Sequence, residues 1–309
     1  MMSIGKDLEL QQEERPLKRG TLVRGIGSFY TVRDGEQREY TLRCKKKFRR
    51  EKLSPMVGDD VMFSPGQGEE HGWLEEILPR KTVCLRPPVA NVTRLVIVTA
   101  PVPEPDMLLV DRQISRAFSQ GMDVLMAVNK CDLDSAIAER MRAEYAQAGI
   151  RVFSVSAKKR IGLEAFRAAL AGDCLCCFTG QSGAGKSTLL NALLDLDLET
   201  GTISEKISRG KNTTRHSELI EKNGIRVMDT PGFNLLEAEN DLEPEKLRER
   251  YPEFIPYEGK CRFRECLHDR EPGCAVDEAA KRGAISRERL ERYRTLLAET
   301  REVWRERYD

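Results

Sequence analysis

Histidine is scarce in this chain, three in 309 residues, so each one can be weighed on its own. Long apolar runs are missing as well. The longest, such as residues 95–98 and 174–178, fall far short of the roughly 18 residues that a membrane span needs, which excludes a membrane protein. Neither charge sign is in excess, with Lys+Arg at 51 and Asp+Glu at 50. Net charge therefore points to no nucleic-acid partner, and only local clustering of charge can do so. The N-terminal stretch MMSIGKDLELQQEERP has no apolar core segment, so no signal peptide is expected. Cysteine numbers nine, an odd count, which argues against a disulfide scaffold and for a reduced cytoplasmic protein. No internal repeat is visible. What is present is 40% apolar and 33% charged residues, too charged for a membrane protein and too apolar for a disordered chain. The length suggests about two domains.

Sequence texture divides the chain into a loose N-terminus (1–19) and three modules, 20–88, 89–239 and 240–309. The first is all-β: short alternating runs such as TLVRGIGSFYTV, REYTLRC and DDVMFSP are separated by Gly, Pro and Asp breaks, as in a small barrel of the OB or SH3 kind. The second changes to α/β. TRLVIVTA, DVLMAV, RVFSVS, CLCCFTG and IRVMDT read as strands, the longer apolar ones buried on both faces of a parallel sheet. Helical stretches alternate with them, including 134–148 with Ile137, Met141 and Tyr145 spaced by four. The third is loop-rich, with Pro244, Pro252, Pro256 and Pro272, and closes in a helix from Ser286 to about Arg307. Ser286 is a good N-cap, and Ile285 with Leu290 fits a hydrophobic staple.

Gly180-Gln181-Ser182-Gly183-Ala184-Gly185-Lys186-Ser187, followed by Thr188, satisfies G-x4-G-K-[ST] between a predicted strand and a predicted helix. Glycines let backbone N–H groups wrap a phosphate, and the helix N-terminus adds its dipole. Lys186 reaches the β/γ phosphates, and the Ser187 hydroxyl ligates Mg2+. The base is addressed elsewhere. Asn129-Lys130-Cys131-Asp132 follows DVLMAV and matches N-K-x-D, where a carboxylate accepts from guanine N1 and N2. Asn129 would support the loop and the Hoogsteen edge, and the Lys130 stem would cover the ring. Ser156-Ala157-Lys158, after the next strand, matches the companion element whose N–H meets guanine O6. Each string is weak alone; at the ends of consecutive strands they point together to GTP. Asp229-Thr-Pro-Gly232 matches D-x-x-G, with Asp229 on Mg2+ through water and the Gly232 N–H on the γ-phosphate. Thr213 or Thr214 supplies the switch threonine, Thr214 being slightly favoured.

The motif order is permuted. The guanine elements precede the phosphate loop, and no second N-K-x-D follows Gly232. A sheet tolerates this when the old termini are joined and a new opening is made elsewhere. Further on, Cys261-x4-Cys266-x-His268-x5-Cys274 gathers three thiolates and an imidazole, the donors of a closed, structural Zn2+ site. Cys174, Cys176 and Cys177 read as small core residues of a buried strand.

These residues resemble the ribosome small-subunit-dependent GTPase A family (RsgA, also called YjeQ) over nearly the whole chain: NKCD, SAK, GQSGAGKST, RGKNTTR, DTPG and the Cys/His pattern, in this order. The resemblance implies a multidomain chain with an N-terminal OB-like β-barrel, a central circularly permuted α/β P-loop GTPase domain and a C-terminal helical zinc-binding domain. It implies a GTP hydrolase that uses Mg2+ and one Zn2+ and acts in late maturation of the small ribosomal subunit; a monomer is expected. Hydrolysis is expected to be slow alone and faster on the subunit. Two positions bear on mechanism. Phe233 stands where Ras-like enzymes carry a glutamine, as in the family. Asn212 stands where the family's G-x-H-T-T element has a histidine proposed to help catalysis. Asparagine orients water by hydrogen bonding but is no general base. His216 is expected to be a surface histidine, and His71 has no assigned role.

The basic run at 43–52 suits phosphate contacts with rRNA, with Phe48 offered to stack on a base; Lys260, Arg262 and Arg264 suit a second contact. The final helix, evenly mixed in Arg and Glu, reads as solvated or partner-facing. The rival reading is an rRNA-binding assembly factor whose nucleotide site senses with negligible turnover. A trafficking GTPase has no support, because nothing suggests lipidation or a membrane-facing segment.

Overall fold

The computed structural model describes residues 16–50, 53–66, 70–85, 88–196, 217–229 and 242–307. They form two compact units, one ending at Pro79 and one beginning at Arg80.

The first unit is a closed barrel of β1 (Lys18–Ile26), β2 (Phe29–Asp34), β3 (Glu39–Cys44), β4 (Asp60–Ser64) and β5 (Gly72–Ile77). Among the described residues between β3 and β4 lies a short helix, α1 (Lys46–Arg50). β1–β2, β2–β3, β4–β5 and β1–β4 pair antiparallel, while β3–β5 pairs parallel. The order 1-2-3-5-4-1 is that of an OB barrel and leaves no free edge. Period-two alternation places Leu22, Val32, Leu42, Val61, Phe63 and Leu74 in its core, all fully buried. The β1–β2 turn needs Gly27, whose φ of 61° suits a two-residue hairpin loop.

The second unit holds β8 (Arg94–Thr99), β9 (Asp123–Val128), β10 (Arg151–Ser154), β11 (Leu175–Thr179), β12 (Glu218–Lys222) and β13 (Ile225–Asp229), after a small hairpin of β6 (Val83–Leu85) and β7 (Pro88–Ala90). The sheet runs β10-β9-β8-β11-β13-β12, parallel except for β12. Renumbered from β11, this is 6-5-4-1-3-2. Helices α2 (Met107–Ser119), α3 (Ala136–Tyr145), α4 (Leu163–Leu170) and α5 (Lys186–Leu194) alternate with the parallel strands. Every residue of β11 is buried, as a central parallel strand requires.

The C-terminal segment of this unit has two 3-10 turns (Pro244–Arg250 and Pro252–Tyr257), α6 (Ala275–Lys281) and α7 (Arg287–Arg305). Ser286 caps α7, its side chain accepting from the Arg289 N–H, and Ile285 and Leu290 are both buried beside it. The expectation of a solvated or partner-facing final helix is corrected, because one face of it packs inward. α7 buries Arg289, Leu290, Tyr293, Arg294, Leu296 and Leu297. Arg289, 2% exposed, donates to Asp111 of α2 and to Glu253, and its guanidinium lies between the Tyr145 and Tyr251 rings at 4.8 and 4.9 Å. Arg292 donates to Asp111 and Glu144, and the Tyr145 hydroxyl donates to Asp111 at 2.9 Å.

Candidate functional site

The carboxyl ends of the parallel strands gather the nucleotide motifs, where open α/β sheets bind ligands. β11 runs into Gly180, whose φ is +135° and where a Cβ would lie 2.1 Å from the Val98 carbonyl oxygen. Only glycine lets the loop leave the sheet there. Gly183 and Gly185 also have positive φ, and Gly185 caps α5. Lys186 Nζ donates to the carbonyls of Gly180 (2.7 Å) and Gln181 (3.0 Å). Burial lowers its pKa from the ordinary lysine value. Its partners are carbonyl dipoles, so an incoming phosphate is the charge this ammonium lacks. Ser187 follows on the first turn of α5 with its side chain exposed.

Asn129, 2% exposed, ties the two halves of the site together. Its Nδ2 donates to the carbonyls of Ala184 (3.1 Å) and Gly185 (3.3 Å), and its Oδ1 accepts from the Ala157 N–H at 3.0 Å. Lys130 Nζ donates to the carbonyls of Val102 (2.7 Å) and Gly183 (2.8 Å), laying its stem beside the phosphate loop. The Cys131 N–H donates to the Val155 carbonyl. Asp132 is exposed; a hydrogen bond from Ser156 above all, then Lys159 and Lys158, holds its carboxyl below the usual range. At neutral pH it is an acceptor-only carboxylate, the form that matches two guanine N–H donors. Thus NKCD, SAK and the phosphate loop converge. Asp229 ends β13, with its backbone paired to Glu218. Asn212, Thr213, Thr214, His216, Gly232 and Phe233 lie outside the described residues.

Helix α2 borders this site without any motif to announce it. Gln113 Nε2 donates to Thr179 Oγ1 at 2.9 Å, and the Asp106 N–H donates to Gln181 Oε1 at 3.2 Å.

The Cys/His residues of the C-terminal segment meet at a second place. The ligand atoms of Cys261, Cys266, His268 and Cys274 lie within 4.8 Å of one another. His268 Nδ1 faces all three sulfurs at 3.7, 3.6 and 3.4 Å. Burial pushes the His268 pKa down to about 4, so the imidazole is neutral, as a ligand must be. Burial raises the Cys266 and Cys274 pKa values, so a cation is what would keep these sulfurs ionised. The N–H groups of Ala275 and Asp277 donate to Cys261 Sγ and Cys274 Sγ, orienting the sulfurs. The cluster fits one tetrahedral metal ion.

The sequence matches the RsgA GTPase family over residues 77–239 and the RsgA N-terminal domain over 19–74. The chain belongs to the RsgA GTPase family. It is 42% identical over 290 residues to the Small ribosomal subunit biogenesis GTPase RsgA of Ruminiclostridium cellulolyticum, covering 92% of this chain and 94% of that one. The Halalkalibacterium halodurans protein of the same name is 38% identical over 298 residues, covering 94% and 100%. Among solved structures, YjeQ from Thermotoga maritima matches with a TM-score of 0.79 at 32% identity, covering 92% and 99%. YloQ, described as a circularly permuted GTPase, matches with a TM-score of 0.79 at 28% identity, covering 94% and 97%. Like other RsgA-family members, this chain is a GTP-hydrolysing enzyme.

The barrel of this RsgA-family chain corrects one expectation. Phe48, at 2% exposure, is buried and not offered to a base. The exposed aromatics are instead Phe29 (36%) and Trp73 (38%). Strand register sets Ile26, Phe29, Arg43 and Trp73 side by side across β1, β2, β3 and β5. The Arg43 guanidinium lies 5.1 Å from the Phe29 ring centroid, and the His71 ring meets Phe29 edge-on at 4.9 Å. The signal for this row is an aromatic at the outward phase of an alternating strand, legible only once the register is known.

Proposed function

We propose that this chain is a GTPase of small-ribosomal-subunit biogenesis. In this reading it docks on the subunit through rRNA, acts late in maturation and hydrolyses GTP faster there than alone. It works as a cytoplasmic monomer. The observation that carries the reading is the Asn129 bridge between the base-reading and phosphate loops, in a family whose relatives bear that name.

Each described group has a task in it. Asp132 accepts from guanine N1 and N2, and Asn129 holds the loop below the base. The N–H groups of 180–188 and Lys186 stabilise charge on the phosphates as the bond to the leaving group lengthens. Mg2+, when bound, would add charge neutralisation there, and the Ser187 hydroxyl is the group that would hold it. Asp229, Thr213 or Thr214, the Gly232 N–H and Asn212 complete the switch side. Zn2+ on Cys261, Cys266, His268 and Cys274 is structural; metal analysis of the purified protein giving well under one zinc per chain would remove it. The Phe29–Arg43–Trp73 row stacks on unpaired bases and contacts phosphate, which suits rRNA.

The deciding experiment times GTP hydrolysis with and without purified small subunits. Strong stimulation is expected. No stimulation, with negligible turnover throughout, would make the chain a nucleotide-sensing assembly factor instead.

A further inference from the structure

Cys174 and Cys176 stand at the root of β11 and take no part in the nucleotide or metal chemistry. Their sulfurs are 3.7 Å apart. Cys174 is half-buried and lies one residue before β11, so it is outside the strand ladder, whereas Cys176 is fully buried and paired in it. Arg94 Nη1 donates to Cys174 Sγ at 3.3 Å. The same guanidinium is fixed by Asp123 at 2.9 Å and by the Ala169 carbonyl at 2.6 Å, so it is held in place beside the sulfur. A cation at a partly accessible thiol, with a second thiol in contact, is the environment of an oxidation-sensitive cysteine.

We propose that Cys174 and Cys176 form a thiol pair oxidised by hydroperoxides, with Cys174 as the attacking sulfur and Cys176 as the resolving one. The Cys174 thiolate attacks the peroxide O–O bond, forming an S–O bond and releasing alkoxide or hydroxide, which takes up a proton. The Cys176 thiol then attacks the sulfenic sulfur. An S–S bond forms, the S–O bond breaks, and the departing hydroxide leaves as water with the Cys176 proton. Two thiols lose two electrons to one hydroperoxide, which becomes an alcohol or water. The charge pattern agrees. The hydrogen bond with Cys176 above all, and then the Arg94 charge, lower the Cys174 pKa to about 6 against the opposing effects of burial and of Asp123, while the Cys176 pKa is raised. Cys177, next along the strand, is buried as well.

The test uses the zinc-loaded full chain, hydrogen peroxide and peptide mapping. The wild type should yield a 174–176 disulfide before any other change at cysteine. Cys176→Ser should instead accumulate a dimedone-trapped sulfenic acid on residue 174, and Cys174→Ser should yield neither product. Oxidation of Cys174 should fall with pH only below the ordinary thiol range, and Arg94→Gln should slow it about tenfold. The proposal is overturned if Cys174 reacts no faster than the half-buried Cys44 and Cys131, or if the Cys176→Ser protein traps no dimedone at residue 174.

Discussion

The nucleotide cradle and the C-terminal segment are built by opposite means. The cradle is tied through backbone carbonyls: the Asn129 amide and the Lys130 and Lys186 ammoniums donate to them, beside glycines at positive φ. The C-terminal segment is tied to α2 and α3 by buried charge, with Arg289, Asp111 and Glu253 all at 2% side-chain exposure or less. Bonds to backbone carbonyls leave no opposite charge stranded when they break, which suits loops that exchange a ligand. A buried charge left without its partner is severely penalised, which fixes one arrangement.

Four measurements bear on that contrast. The largest effect is expected from Arg289→Ala, which strands Glu253 and leaves Asp111 with Arg292 and Tyr145 alone; denaturant unfolding should show a loss of about 3–5 kcal/mol. A loss below about 1 kcal/mol would remove the distinction between the regions. Lys186→Ala should cut turnover by about 10²–10³-fold yet leave stability nearly unchanged, because burial disfavours the charge being removed. Retained turnover would take the phosphate loop out of the mechanism. Asp132→Asn should shift preference from GTP toward XTP by about 10²-fold through the loss of two charge-assisted bonds; competition assays still favouring GTP would refute the guanine assignment. The smallest effect belongs to Asp195→Asn. Asp195 ends α5 and accepts from Arg160, Arg167 and Asn223, but it is 47% exposed and Arg160 60%. Its loss should barely move the denaturant midpoint, and less still in high salt.

The cradle was largely legible in the sequence because its chemistry is local. A phosphate loop needs glycines and Lys186 within one turn, and NKCD and SAK each sit at the end of an apolar run. The Cys/His cluster was legible for the same reason. What escaped depends on residues far apart. Arg289 in an Arg/Glu-rich helix looks solvated until Asp111 and Glu253 are brought against it. Phe48 looked available within a run of charge, but a short helix turns it inward. Strand β12 also escaped, although Asn223 and Gly224, with φ of 55° and 71°, are the usual signature of a tight hairpin.

The Asn129 bridge also carries an order of events in synthesis. The ribosome makes the NKCD and SAK loops of this chain before the phosphate loop. Until Ala184 and Gly185 emerge, the Asn129 amide lacks the two carbonyls it will hold. The half-made sheet therefore has a polar group with no permanent partner, and the nascent chain closes its pocket only when the later half arrives.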